Sequence, residues 1–165
     1  MTKELKFSLL LLLLLSLFKF WQLNGGVILA EPDERIYLEA AKSLSRSPFP
    51  YLSGIPFFYG LPLHTYLVFL LSKVFPDGYV AGRLLSVLAS LGLTAAIYYH
   101  VRWKFGQKAA FWSALFFIFC PLSIFYSRVG IIEMTVAAFS IGSLFAFDYG
   151  LTTNNRKHLF LGGFL

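Results

Sequence analysis

Cysteine is nearly absent. Cys120 is the single one in 165 residues, so no intrachain disulfide can form, and its apolar setting argues against thiol chemistry. The three histidines, His64, His100 and His158, have no metal-ligand spacing between them. Charge is scarce as well, with Asp, Glu, Lys and Arg making up only 13% of the chain. There is no glycine-rich phosphate loop, no G-x-S-x-G elbow and no block of basic residues interleaved with aromatics. Those absences remove the signatures of P-loop enzymes, serine hydrolases and nucleic-acid binders. No internal repeat occurs beyond a leucine run near the N-terminus.

What is present is apolar surface. Hydrophobic residues make up 58% of the sequence and mean hydropathy is +0.70, more than the interior of a soluble domain this size can hide. The class that follows is an all-α integral membrane protein with several spans. The formal net charge of +6 flanks apolar runs, which is how membrane proteins set their orientation. No nucleic-acid partner is implied.

Full spans need roughly 20 apolar residues. They are expected at 5–23, 79–101, 109–127 and 131–151, with the start of another at 158. The first run, preceded by Lys3 and Lys6, has a signal peptide as its rival reading. Lys19 and Trp21 after the core, and a poor small-x-small cleavage pattern, favour an uncleaved helix with a cytoplasmic N-terminus. The unfinished run at 158 suggests a truncated or partial protein.

Between the first two spans lies a loop, 24–78, that carries most of the acids. Residues 33–46 have helical periodicity. Arg35, Glu39, Lys42 and Arg46 make one charged stripe, and Asp33, Tyr37, Ala40 and Leu44 a more apolar neighbour. Such a helix suits the membrane surface. Pro48, Pro50, Pro56 and Pro62 are expected to keep the next stretch extended. The apolar run 63–75, about 13 residues, is short of a span. Parity then decides its placement. If it lies in the interface, the N-terminal lysines, Arg102/Lys104/Lys108 and Arg156/Lys157 all fall inside, and Asp33, Asp77 and Glu133 all fall outside. If it spans, the basic clusters conflict.

Taken alone, Asp33 after Pro32 reads either as a helix N-cap or as a catalyst. Glu34 reads as a solvated neighbour favoured by the helix dipole, and Arg35 as a one-turn partner of Glu39. Arg83 and Arg128 read as arginines that snorkel to headgroups. Glu133 is costly at the edge of a lipid-facing run unless it is paired, with Arg128 five residues away, or faces an aqueous cavity.

The order of these pieces resembles the polyprenyl-phosphate-sugar-dependent glycosyltransferases of GT-C fold, the protein O-mannosyltransferase and aminoarabinose-transferase group (glycosyltransferase family 39-like). Asp33-Glu34, with Tyr37 and Ala40-Ala41, is similar to the acidic motif of the family's first external loop. The segment Phe58-Tyr59-Gly60-Leu61-Pro62-Leu63-His64-Thr65 resembles its Pro-containing approach to a juxtamembrane helix. Ala81-Gly82-Arg83-Leu84-Leu85-Ser86 resembles the opening of its next span. Pro121-Leu122 through Tyr126-Ser127-Arg128, then Glu133-Met134, resembles its Arg-then-acid exit into the second external loop. Gly60-Leu61 stands where several relatives carry Lys-Pro, so that lysine's phosphate contact is missing. Glu133 stands where Asp is frequent, and the family runs to several hundred residues.

The resemblance implies a membrane enzyme that transfers a sugar from a polyprenyl-phosphate donor to an acceptor hydroxyl on protein, lipid or glycan, at the extracytoplasmic face. It implies Asp33 as catalytic base and Glu133 as the second catalytic acid, which orients the acceptor, tunes the acidity of Asp33 or helps hold a cation, with Arg83 either binding substrate or holding the helices together. Arg128, Arg83, Glu34, Tyr37 and His64 become substrate-binding. A divalent cation, if used, would be held by Asp33 and Glu133. The rival reading is a non-enzymatic membrane protein, a transporter segment or assembly partner. It rests on the small residues Ala89-Ser90-Leu91-Gly92 and Ala137-Ala138, which suit close helix packing. An inactive fragment is the third.

Overall fold

A computed structural model describes residues 3–21, 23–24, 32–57 and 62–164. Glu31 and the 58–61 part of the Pro-containing segment lie outside them. Helix α1 (Lys3–Ser16) runs into a single 3-10 turn at Leu17–Phe20. Its unbroken leucines are apolar on every side, so Leu12 is buried while Leu10, Leu13 and Leu14 stay exposed. That is the pattern of a helix with protein on one side only, and in a lipid setting it leaves no apolar face in water.

Helix α2 (Pro32–Ser43) buries Glu34, Tyr37, Leu38, Ala40 and Ala41 and exposes the Arg35, Glu39, Lys42 stripe. Pro32 opens it, its fixed φ suiting the first helical position. The stretch expected to be merely extended folds back as a two-stranded hairpin, β1 (Tyr51–Leu52) against β2 (Ile55–Pro56). Ser53 (φ 52°) and Gly54 (φ 81°) make its turn, both left-handed as a two-residue hairpin turn requires. Helix α3 (Pro62–Ser72) follows. At 11 residues it is roughly 16 Å long, half of a hydrocarbon core.

Helix α4 (Gly78–Phe119) is capped by Asp77, whose side chain accepts from the backbone N–H groups of Tyr79 (2.9 Å) and Val80 (3.4 Å). Its 42 residues would reach about 63 Å if straight, twice a bilayer core. Instead it turns at Gly106 (φ 84°, ψ 176°), a conformation open only to glycine. The second arm returns along the first, and Tyr98, Ala110, Ala114 and Ile118 form one buried cluster with Leu12. The run 109–127, read as continuous, is broken at Cys120 (ψ 126°), because Pro121 disfavours helical geometry in the residue before it. Helix α5 (Pro121–Arg128) restarts there. Helix α6 (Ile132–Thr153) ends on Asn154 in the left-handed region, and α7 (Arg156–Phe164) packs back against it. Among the described residues, α4 and α6 are the helices long and apolar enough to cross a membrane.

Polar contacts order the two ends. At one, Arg83 reaches the Leu23 carbonyl, Arg128 the Trp21 carbonyl, and Glu34 meets Gly130. At the other, Gln107 meets Ser8 and Lys104 meets Asp148. Helix α3 stays at the first end, starting beside Thr135 and returning through 73–77 to the cap of α4. Between the ends, buried Lys19 donates to Ser90 Oγ (2.7 Å) and Ser123 Oγ (3.0 Å), joining α4 and α5 to the segment after α1.

Candidate active site

The first end is organised by a buried carboxylate. Glu34 sits on the inward face of α2, where Arg83 Nε donates to its Oε1 and Arg83 Nη2 to its Oε2, both at 2.8 Å. The Gly130 N–H donates to Oε1 at 2.5 Å. Arg83 Nη1 donates to the Leu23 carbonyl at 3.1 Å. Side-chain exposures are 2% for Arg83 and 1% for Glu34, so this is a two-pronged ion pair in a dry setting. The space beside it, between α2, α4 and Gly130, is about 10 Å³, room for one water at most.

Close backbone approach makes the pair possible. A Cβ on Gly130 would stand 3.1 Å from Arg83 N and from Gly82 C, and 3.2 Å from Glu34 Oε1. Glycine at 130 thus lets the 129–131 linker lie flat on α4.

Two sequence expectations are corrected here. Glu34 is not a solvated neighbour: the inward face of α2 buries it against a cation. Arg83 does not snorkel: its side chain is buried and donates to Glu34 and to the Leu23 carbonyl, holding α2 and the residue-23 segment to α4.

His64 and Tyr37 are buried as well. The His64 ring packs edge-on to Tyr37, centroids 5.1 Å apart, and its Nδ1 is 2.9 Å from Thr135 Oγ1. It therefore joins α3 to α2 and α6. Burial pushes the imidazole down to about 4. The Gly130 backbone opposes this only in part, and Nε2 is buried without a hydrogen-bond partner. Glu34, Arg83, Tyr37 and His64, expected to bind substrate, are all buried and make these contacts to protein.

Asp33 and Glu133 are exposed. Asp33 lies within the first turn of α2 rather than at its cap, where the helix dipole favours its negative charge. Glu133 occupies the first turn of α6. Because Glu34 is bonded to Gly130, the neighbouring Asp33 and the nearby Glu133 emerge at the same end of the helices. No ion pair joins Glu133 to Arg128 among the described residues. Arg128 Nη2 donates instead to the Trp21 carbonyl at 2.7 Å, while its Nε is buried without a partner. Among the described residues no group of three or more His, Cys, Asp or Glu is placed to hold a metal ion.

Sequence reasoning missed Lys19 and Gly130. A lysine after a leucine core reads as a flank, and one glycine in an exit loop carries no signal of its own.

No curated protein and no solved structure matches this chain. A family model does match, described as dolichyl-phosphate-mannose-protein mannosyltransferase, over residues 56–165. The match includes His64, Arg83, Arg128 and Glu133 and begins after Asp33. With the apolar helices, it makes this a helical membrane protein of glycosyltransferase type. The chain belongs to the dolichyl-phosphate-mannose-protein mannosyltransferase family.

Proposed function

We propose that this chain forms part of a GT-C-type bundle that moves a sugar from a polyprenyl-phosphate donor to an acceptor hydroxyl, at the extracytoplasmic end bearing Asp33 and Glu133. One observation carries the reading. The Glu34–Arg83–Gly130 clasp uses one acid structurally and leaves the adjacent one, Asp33, exposed beside the segment that leads to Glu133.

A sugar on a lipid phosphate is already activated, so no nucleotide is required. The acceptor oxygen bonds to the anomeric carbon as the bond from that carbon to the phosphate oxygen breaks. Asp33 takes the acceptor proton. Glu133 orients the acceptor. Arg128, with a buried Nε lacking a partner, offers a planar cation to the charge that grows on the departing phosphate. If a divalent cation takes part, Asp33 and Glu133 are the carboxylates to hold it. Glu34, Arg83, Tyr37 and His64 fix the frame on which these groups stand.

The test is Asp33→Asn in the complete protein, assayed for transfer from a polyprenyl-phosphate sugar. Loss of a general base lowers turnover by roughly 10²–10⁴-fold. Undiminished turnover removes Asp33 as the base.

A further inference from the structure

At the opposite end, between α4 and the α6–α7 pair, lies a cavity of about 530 Å³. Its walls include Tyr99, His100, Arg102, Trp103, Tyr149 and His158. The aromatic rings support one another. His100 stacks on Phe145 at 3.9 Å, Trp103 meets Tyr149 edge-on at 5.0 Å, and Tyr149 meets His158 at 4.8 Å.

One cation in this wall has no partner among the described residues. Half-exposed Arg102 makes no hydrogen bond or ion pair with them, in contrast to Lys104, which is paired with Asp148. A guanidinium on a cavity wall, with its donors uncommitted, suits an anionic acceptor. Lys108, Arg156 and Lys157 add positive charge at the same end. Tyr and Trp at the boundary of spanning helices mark the level of lipid headgroups.

We infer that this cavity is a binding site for a phosphate-bearing anionic membrane lipid. Its phosphate oxygens accept from Arg102, and its apolar chain lies along the aromatic wall. A basic pocket between membrane helices, open to the headgroup level, matches that chemistry in both parts. The site is separate from the acid-bearing end and does not depend on the transfer reaction proposed there.

The experiment uses the complete protein in lipid nanodiscs, with Trp21, Trp112 and every tryptophan outside residues 1–165 replaced by Phe so that Trp103 alone reports. Brominated phosphatidylglycerol is compared with brominated phosphatidylcholine as quencher at equal mole fraction. The site predicts at least twofold stronger quenching by the anionic lipid. Arg102→Gln abolishes the difference, while Lys108→Gln, which removes the same charge nearby, leaves it. Arg102→Lys retains part of it. Equal quenching by the two lipids, or a preference that survives Arg102→Gln, overturns the assignment. Equal quenching by the two lipids together with a Trp103 emission change on adding inorganic phosphate, one that Arg102→Gln removes, overturns the lipid as occupant and points to a free anion.

Discussion

At the scale of single residues, two neighbouring carboxylates part company because of helix geometry alone. Asp33 and Glu34 are about 100° apart around α2, so one faces out and the other in. An inward acid survives only if it is neutralised, and Arg83 does so with two 2.8 Å bonds. Removing one partner leaves the other charge buried, which costs roughly 3–5 kcal/mol. Arg83→Met and Glu34→Met should therefore each lower the melting temperature sharply in detergent. The double variant Glu34→Met/Arg83→Met should recover much of the loss, a non-additivity that thermal unfolding of the four proteins measures directly.

His64 gives a pH dependence of known sign. Its folded value is about 4 because burial disfavours the cation, whereas the unfolded chain takes up the proton near 6.5. The unfolded state thus holds more protons between those values. Stability is complete above about pH 6.5 and is lost as pH falls from there toward 4. By pH 5 the loss is on the order of 2 kcal/mol. A melting temperature that falls between pH 7 and 5, and a smaller fall in His64→Phe, is the expected result.

At the scale of elements, two glycines work for different reasons. Gly106 needs its left-handed backbone and has open space around it. Gly130 needs the absence of a side chain, with Arg83 and Gly82 backbone close by. Gly106→Ala should cost about 1–3 kcal/mol through conformation, and Gly130→Ala a similar amount through overpacking. The two separate in a second measurement: only Gly130→Ala should also loosen Glu34, seen as faster hydrogen exchange in the first turn of α2.

The elements were unevenly legible. The charged stripe of α2 and the short apolar α3 stood out, because period and length are local properties. The Ser53–Gly54 hairpin was hidden by the surrounding prolines, which read as extension. Gly106 and the Cys120–Pro121 break were masked by apolar runs on both sides. The Glu34–Arg83 pair spans 49 positions, and no local pattern records it. A buried acid at a helix start looks like any dipole-favoured surface acid.

At the scale of the whole molecule, the reading rests on basic clusters gathered at one end, while the other carries acids together with Arg35, Lys42, Arg83 and Arg128. Asp33, Asp77 and Glu133 gather at the end of the Glu34–Gly130 bond, and Arg102, Lys104, Lys108, Arg156 and Lys157 at the end of Gly106 and Asp148. Positive charge favours the cytoplasmic side, so the acids would face the other. Charge counting reached the same partition because flanking charges are local. The clasp that holds the acids together came only from packing.

The most direct test of a shared acid-bearing face is sidedness. In the complete protein, with Cys120 and any cysteine outside residues 1–165 replaced by Ser, single cysteines are placed by Arg35→Cys, Glu133→Cys, Lys108→Cys and Lys157→Cys. Each is then labelled in sealed, oriented vesicles with an impermeant thiol reagent. The account predicts that positions 35 and 133 label from the extracytoplasmic side, and 108 and 157 only from the cytoplasmic side. Labelling of 35 and 133 from opposite sides would contradict it.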